Sequence, residues 1–356
     1  MSGDLRNAVS AYVRDRLEGE SLLREPPNKN LQAVFVVPVY REPVRRVLEL
    51  LTSLTNIRGD FEVLCVVNNG PDDGTAEFHE ARNANALVMH LPLWRNSDAF
   101  GSIVRFPESV LKQARDIRSS IPVYLIDKSS KGHELQKGNV GAARDRGLAE
   151  AAARFLQLER NGLVIFLDAD VLVEDPAYLE KALEIFERDQ NLTVVAGGID
   201  YRFDPDVSQS RERLQETEKL KQYLEVRKWE LLNDFLQSGK TDILPIDACI
   251  GSQVLARVFQ AAAFGGWPHS GLGEDTEFGA RGACKKYDTL RVNAALRYQH
   301  WMGREFDPSV DQVILPFTPD AMSELIRKVS ASEHGRALLA RLGDISTLLY
   351  RSISVR

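Results

Sequence analysis

Short, largely apolar runs separated by helical patterns constrain the fold of this chain more than any other feature. Three of these runs are LQAVFVVPVY (31–40), FEVLCVV (61–67) and GLVIFLDADVLV (162–173). They lack the alternation of a half-exposed strand and are typical of strands buried on both faces of a parallel sheet. Helical patterns at 43–54 and 139–156 lie between them, which indicates parallel βαβ units. We therefore predict an α/β fold with a mostly parallel central sheet flanked by helices.

The remaining segments show less regular patterns. The first strand is expected to stop near Pro38, and residues 93–137 are expected to form a loop-rich excursion. The other expected elements are helices at 5–24, 176–188, 211–238 and 274–286, a strand at 193–203, a Gly-rich segment at 265–273 and two helical stretches after Pro316. Nothing resembles a flexible linker. We predict one α/β body at 31–305, divided at 175, with helical extensions at 1–30 and 306–356.

Charge balance excludes some classes of partner. The 356 residues include 45 Lys and Arg against 51 Asp and Glu, which gives a net charge of −6. Such a chain has no overall electrostatic attraction for nucleic acid or for an anionic membrane. If its ligand is a phosphate, a metal ion or a local basic pocket must offset the repulsion.

Cysteine usage and the N-terminal sequence predict the compartment. Cys65, Cys249 and Cys284 are an odd number without CxxC spacing, which favours free thiols in a reducing compartment over disulfides or a zinc site. The N-terminal residues carry charges throughout and lack the apolar core of a signal peptide. No apolar stretch approaches the roughly 18 residues of a membrane-spanning helix. We expect a soluble, cytoplasmic protein and not a polymer-extruding synthase with its own membrane channel.

The sharpest chemical signal is the pair Asp168 and Asp170 at the end of the third apolar run. In open parallel sheets, ligands bind beyond the carboxyl ends of the strands. Two neighbouring carboxylates repel each other, and a hard divalent cation relieves this repulsion while it bridges phosphate oxygens. The alternative interpretation is that both acids are solvated loop residues or cap a helix.

Other enzyme classes remain open at this point. FLDAD (166–170) also resembles the nucleophile motif of haloacid dehalogenase phosphatases, but Leu172 stands where that motif has Thr or Val. A nucleotidyltransferase or a dinucleotide-binding fold normally has a Gly-rich loop after its first strand, whereas VYREPVRR (39–46) contains no glycine.

Five stretches in order resemble the GT-A glycosyltransferases, specifically glycosyltransferase family 2. They are VVPVYREP (36–43), VVNNGPDDGT (66–75), KGNVGAARDRGL (137–148), FLDAD (166–170) and GGWPHSGLGEDTEFGAR (265–281). The resemblance implies a GT-A, Rossmann-like fold with a nucleotide-sugar-binding half at 31–175 and an acceptor-binding half at 176–305. It also implies a metal-dependent transfer of a sugar from a nucleoside-diphosphate donor, UDP- or GDP-linked, to a hydroxyl acceptor.

The resemblance implies a metal site for Mn²⁺ or Mg²⁺. Asp170 would coordinate the metal, and Asp168 would share that task or bind the donor ribose. His300, in RYQHWMG, stands where several GT-A enzymes have a third metal ligand, and imidazole suits manganese. The alternative is a structural histidine. Arg304 would pair with the diphosphate or lie on the surface.

The resemblance also implies contacts to the nucleotide. Pro38, Tyr40 and Glu42 belong to the first-strand motif that meets the base. Asn68 and Asn69 stand where the family usually has an aspartate, and an amide both donates and accepts hydrogen bonds. Lys137 and Gly138 lead into the segment that lines the donor pocket, and Arg144 contacts the donor or is a helix-surface cation. The family resemblance assigns these residues to donor binding.

The acceptor side centres on Glu274 and Asp275. In inverting family members the Asp of this pair takes the proton from the acceptor hydroxyl, so Asp275 is the candidate base and Glu274 lies against the acceptor or supports it. The alternative is that both simply begin a helix. Trp267 either stacks on a sugar or packs in the core. A late histidine also occurs in retaining enzymes that make glycosylglycerates, so both stereochemical courses remain open. A non-catalytic relative that binds sugar nucleotides is a further alternative, although the presence of Asp168, Asp170 and Asp275 argues against it.

Position alone suggests the remaining roles. The excursion at 93–137 and the helix at 211–238 are expected to shape the choice of acceptor. The long helix or the C-terminal stretch either mediates a homodimer or simply packs on the body.

Overall fold

The computed structural model describes residues 3–18, 23–96, 104–136, 139–203, 253–269 and 274–296, together with 326–328 and 330–331. The chain divides into two units. Most described residues belong to the unit formed by Met1–Ile199 and Asp247–Asn293, and the other unit comprises Asp200–Ile246 and Ala294–Arg356. The boundaries at 30, 175 and 305 remain predictions.

Helices and strands alternate through most of the described chain, as the sequence predicts. The helices are α1 (Gly3–Leu17), α2 (Val44–Leu54), α3 (Ala76–Met89), α4 (Glu108–Ser120), α5 (Val140–Gln157), α6 (Tyr178–Arg188), α7 (Val258–Ala263) and α8 (Glu274–Arg281). The strands are β1 (Ala33–Val39), β2 (Phe61–Asn68), β3 (Val123–Lys128), β4 (Leu163–Leu167), β5 (Val171–Leu172), β6 (Val194–Phe203), β7 (Gln253–Arg257) and β8 (Lys285–Leu296).

The strands form a mixed sheet in the order β3-β2-β1-β4-β7-β6-β8-β5. Strand β1 pairs in parallel with β2 and β4, and β2 pairs in parallel with β3. Strand β7 is antiparallel to both of its neighbours, β4 and β6. The predicted fold class, an α/β protein with a central sheet flanked by helices, is therefore confirmed.

Helices cover both faces of the sheet, which explains why its first strands are apolar throughout. Val34 and Val36 of β1 lie in a core cluster with residues of α1, α5 and α7. Successive side chains of a strand point to opposite faces. Phe35 accordingly lies 5.0 Å from the ring of Phe61 and 6.5 Å from the ring of Tyr178, which begins α6 on the other face.

Helix α5 lies between the sheet and the pair α1 and α7. Gly147 lets it approach β1 closely, because a Cβ at this position would lie 2.3 Å from Cγ1 of Val36. Almost all of α5 is buried, including five charged side chains: Arg144, Asp145, Arg146, Glu150 and Arg154. Buried charges require partners. Helix α5 therefore carries buried charged side chains that bond residues of other elements.

Residues 93–137 differ from the expected loop-rich excursion, because they contain helix α4 and the edge strand β3. The sequence signal for both is weak. Helix α4 buries only Ala114 and Ile117, so its apolar stripe is narrow. The apolar part of β3 is the four residues VYLI (123–126). Asn96, in the loop between α3 and α4, covers part of its outer edge: its Oδ1 accepts the N–H of Leu125 at 2.9 Å, and its Nδ2 donates to the carbonyl of Leu125 at 2.7 Å.

Several element boundaries also differ from the prediction. Strand β1 continues through Pro38. Its pairing with β4 has already ended at Val36, so the N–H that the proline lacks costs no hydrogen bond to β4. Strand β4 ends at Leu167, and a turn at Asp168 separates it from β5. Helix α8 ends at Arg281 because β8 begins at Lys285. The expected helix at 211–238 lies outside the described residues.

The N-terminal helical addition is confirmed as α1, which ends at Leu17 and not at 24. The expected C-terminal addition lies largely outside the described residues. Among the helices that the structure describes, each is too short or too polar to cross a membrane.

Candidate functional site

The carboxyl ends of the parallel strands lie at one edge of the sheet, and the acids singled out by the sequence lie there too. Val39 at the end of β1 is beside Val67 of β2, and Asn68 is beside Lys128 of β3. Strand β4 ends directly before Asp168. Ligands of open parallel sheets bind at this edge.

Arg144 connects two of the predicted site residues. Its Nη2 lies 2.5 Å from Oδ1 of Asp168, and its Nη1 lies 3.3 Å from Oε1 of Glu274. The guanidinium also lies 4.8 Å from the ring centroid of Trp267, and the residue is only 2% exposed. Arg144 is therefore not a helix-surface cation, because it joins the end of β4 to the start of α8.

Glu274 and Asp275 form the first turn of α8, where the helix dipole favours negative charge. Burial raises the pKa of Glu274, although a hydrogen bond from its own backbone and the neighbouring Arg144 oppose the rise. Asp275 is partly exposed. The turn thus presents one buried and one accessible carboxyl group. The helix start that the sequence offered as an alternative is observed, and a role of the two acids in a site stays a prediction.

Asp168 and Asp170 lie on the open side of the turn after β4. Both are partly exposed, whereas Ala169 between them is buried, and the N–H of Val171 closes the turn on the carbonyl of Asp168 at 3.2 Å. Their oxygen donors fit Mg²⁺ or Mn²⁺, which proteins commonly hold through one or two carboxylates together with substrate phosphates. In the described part of the chain no third acid, histidine or cysteine completes a metal cluster.

The two asparagines at the end of β2, Asn68 within the strand and Asn69 directly after it, are both buried, but their amides differ in their hydrogen bonds. Asn68 donates from Nδ2 to the carbonyls of Val39 and Val66 at 3.1 and 3.3 Å, so it links the ends of β1 and β2. Asn69 is 1% exposed, and its Nδ2 has no hydrogen-bond partner among the described residues. Since an unpaired buried donor is costly, Asn69 is the better candidate for a ligand contact.

Asn85 of α3 links the carboxyl ends of three strands. It is not among the site residues predicted from the sequence. Its Nδ2 donates to the carbonyl of Asn68 at 2.8 Å and to Oγ of Ser129 at 3.0 Å, and its Oδ1 accepts the N–H of Arg41 at 2.9 Å. The bonds join the ends of β1, β2 and β3. A sequence signal exists, because Asn85 occupies a position of the buried stripe of α3 that otherwise holds Phe78, Ala81 and Val88.

We expect replacement of Asn85 by alanine to lower the free energy of unfolding by about 2 to 4 kcal/mol, because the groups it bonds are left buried without partners. Denaturant unfolding measures the change. Asn83→Ala is the matched control, since Asn83 lies on the exposed side of the same helix. Equal losses in the two variants would show that the Asn85 bonds contribute little.

The turn after β1 carries the other predicted nucleotide contacts. Pro38 is buried within β1, Tyr40 is 40% exposed and Glu42 is buried. Arg41 adopts a left-handed conformation with φ 57°, which its bond to Asn85 and an ion pair with Glu80 at 2.5 Å support. This turn places a large aromatic ring on the surface beside the carboxyl ends of the strands.

Trp267 is a packing residue and not an exposed sugar platform. It is buried, stacks on Phe278 at 4.1 Å and contacts Phe166 edge-on at 4.6 Å. Lys137, Gly138, His300 and Arg304, which the resemblance places at the donor or metal, lie outside the described residues.

Comparisons with known proteins give distant likenesses. No model of a known protein family matches the chain, and no curated protein sequence does. A mannosyltransferase from Pyrobaculum calidifontis, solved with GDP-Man and Mn²⁺, matches 98% of this chain and 96% of its own, at 12% identity and a TM-score of 0.44.

Two further solved structures are similar at the same level. Glucosyl-3-phosphoglycerate synthase from Mycobacterium tuberculosis, in complex with Mn²⁺, UDP and glucosyl-3-phosphoglycerate, matches 80% of this chain and 75% of its own at 12% identity, with a TM-score of 0.40. A mycobacterial protein matches 81% and 71% at 13% identity, with a TM-score of 0.39. Likenesses this distant do not assign an activity.

Proposed function

We propose that this chain is a metal-dependent glycosyltransferase that moves a sugar from a nucleoside-diphosphate-sugar to an acceptor hydroxyl. One observation supports the proposal most. Arg144 brings Asp168, from the metal-binding motif, and Glu274, from the acceptor-side motif, to one place at the carboxyl edge of the parallel strands. These residues are far apart in the sequence, and the resemblance assigns them to opposite substrates of one reaction.

The donor side comprises the carboxylates and the strand ends. Asp170 and Asp168 would hold Mn²⁺ or Mg²⁺, with His300 as a proposed third ligand. The bound cation would act as a Lewis acid that neutralises the departing diphosphate. The amide of Asn69 would meet the nucleotide. Its Nδ2, which finds no hydrogen-bond partner in the described part of the chain, supports this role.

The other donor contacts follow from the motifs. Tyr40 offers an exposed ring at the end of β1, and Pro38 and Glu42 flank it. Lys137 and Gly138 precede α5 and would lead into the segment that lines the donor pocket. Arg144 would orient Asp168 rather than contact the donor as a surface cation, since its guanidinium is buried between two carboxylates.

The acceptor side comprises the first turn of α8. Asp275 would accept the proton of the attacking hydroxyl as it displaces the diphosphate, which gives inversion. Glu274 would support this geometry through Arg144. The proposal includes a UDP- or GDP-linked donor and a location in the cytoplasm. A homodimer stays an alternative to simple packing of the long helix or the C-terminal stretch.

A thermal-shift experiment with Asp170→Ala tests the metal assignment. For the wild-type protein we expect UDP or GDP to raise the Tm in the presence of Mn²⁺, since a ligand at about 100 times its Kd adds about 2.7 kcal/mol. The variant is expected to lose the Mn²⁺-dependent part of this shift.

Glu174→Ala is the matched control, because it removes an exposed carboxylate four residues further along the chain. If Asp170→Ala keeps the full Mn²⁺-dependent shift, Asp170 is not a metal ligand. Phosphate release from a phosphomonoester, in place of nucleotide release from a nucleotide-sugar, would favour the hydrolase alternative.

A further inference from the structure

Asp145 is a buried carboxylate that joins three parts of the molecule. It is 1% exposed, and its Oδ1 accepts the hydroxyl of Tyr12 at 2.6 Å and the N–H of Trp267 at 2.8 Å. Its Oδ2 accepts Nε of Arg16 at 2.6 Å and lies 2.9 Å from Nε2 of His269. Four donors on one carboxylate satisfy its charge, which makes burial tolerable.

The donors come from two elements that are distant in sequence. Tyr12 and Arg16 belong to helix α1, whereas Trp267 and His269 belong to the segment 266–269. Burial raises the pKa of Tyr12 well above its usual value, and Asp145 raises it further, so the hydroxyl keeps its proton and donates. Helix α1 therefore reaches the segment 266–269 through Asp145.

The segment 266–269 lies directly on the start of α5. A Cβ on Gly266, which has φ 76°, would lie 2.1 Å from Oδ1 of Asp145, and a Cβ on Gly141 would lie 2.2 Å from the carbonyl oxygen of Pro268. The amide of Asn139 donates to the carbonyl of His269 at 3.2 Å. Side-chain atoms at Gly141 or Gly266 would therefore separate this segment from α5.

Consecutive residues of α5 hold both sides of the predicted acceptor motif. Asp145 bonds Trp267 and His269, and Arg144 bonds Glu274, which begins α8. A displacement of 266–269 would therefore act on the position of α8, and mispositioning of a reacting group by about 1 Å can cost about a hundredfold in rate.

We propose that Asp145 is a positioning residue through which helix α1 holds the segment 266–269 and, with it, the first turn of α8. The inference rests on the proposed function, since α8 carries the candidate base. Helix α1 then influences the geometry of the site, although it contributes no group to the chemistry.

Two arginines of α1 provide a matched pair of variants. Arg16→Ala removes a donor from Asp145, whereas Arg6→Ala removes the ion pair of Arg6 with Glu159, 3.1 Å long and near the other end of α5. Both side chains are about half exposed, so both variants are expected to fold. If α1 acts only by packing, the two variants will behave alike.

Amide hydrogen exchange measures the positioning itself. We expect Arg16→Ala to accelerate exchange in 266–269 and in the first turn of α8 by about tenfold, and Arg6→Ala to leave both unchanged. Asp145→Asn, which removes the charge and keeps the size, is expected to accelerate it by more, up to about a hundredfold. Equal exchange in Arg16→Ala and Arg6→Ala would overturn the proposal, whether or not Asp145→Asn folds.

Steady-state kinetics connects the positioning to the reaction. We expect Arg16→Ala to lower kcat about tenfold with an unchanged KM for the nucleotide-sugar, because the donor contacts are not altered. An unchanged kcat in Arg16→Ala overturns the functional part of the proposal. If the wild-type protein transfers no sugar, the proposed function fails, while the exchange experiment still decides whether Asp145 holds the segment.

Discussion

Replacement of Asp275 by asparagine is expected to lower kcat by about 10² to 10⁴-fold, because a general base contributes a factor of this size and an amide accepts no proton. Donor binding is expected to persist, since Asp168, Asp170 and Asn69 are unchanged. The measurement has two parts. Turnover is followed as nucleoside diphosphate released from the nucleotide-sugar with a panel of hydroxyl acceptors, and binding is followed as the Mn²⁺-dependent thermal shift.

Glu277→Gln is the matched control for this variant. Glu277 also lies in the first turn of α8, but it forms an ion pair with Arg281 on the helix surface. The same change from carboxylate to amide should therefore leave turnover nearly unaffected. Full turnover in Asp275→Asn would refute the base assignment and would favour the retaining course.

Replacement of Arg154 by methionine is expected to lower the free energy of unfolding by about 3 to 5 kcal/mol, because it leaves the carboxylate of Glu62 buried and unpaired. Nη2 of Arg154 donates to Oε1 of Glu62 at 2.8 Å, and Nε contacts Oε2. Nη1 donates to the carbonyl of Glu25 at 3.0 Å, and the guanidinium lies 5.0 Å from the ring of Tyr124. Both charged side chains are almost completely buried.

Arg58→Met is the matched control, since Arg58 also binds a glutamate, Glu180, through two nitrogens at 2.8 and 2.7 Å. That pair is exposed, and we expect its loss to leave the denaturation midpoint almost unchanged. Denaturant unfolding compares the two variants directly. A similar midpoint for both would mean that water reaches the carboxylate of Glu62 once Arg154 is replaced.

The strands were predictable because burial on both faces leaves a direct trace in the sequence. Leu163–Leu167 has no polar residue, Phe61–Asn68 has only Glu62 and Asn68, and the acids that follow Leu167 necessarily lie at the carboxyl edge of the sheet. Edge strand β3 was not recognised, because a strand with one free edge needs only a short apolar run. Local pattern thus identified the centre of the sheet better than its border.

The buried charges of α5 were not predictable from local pattern. Arg144, Asp145 and Arg154 are charged residues of an Ala-rich helix, and their partners lie 24 to 133 residues away in the sequence. Only the fold brings such partners together. The same holds for Asn69, whose Nδ2 has no hydrogen-bond partner among the described residues, a feature that is visible only once the side chain is known to be buried.

The antiparallel pairing of β7 with β4 has a consequence for biosynthesis. Residues 168–252 separate the two strands, so the ribosome needs several seconds, at roughly 5 to 20 residues per second, to make β7 after β4 is complete. During that time the parallel strands β1 to β4 can already assemble, but the backbone of Leu163–Leu167 has no neighbour on its second side. This stretch, LVIFL, is uncharged and apolar, which is the composition that invites unwanted strand addition between nascent chains.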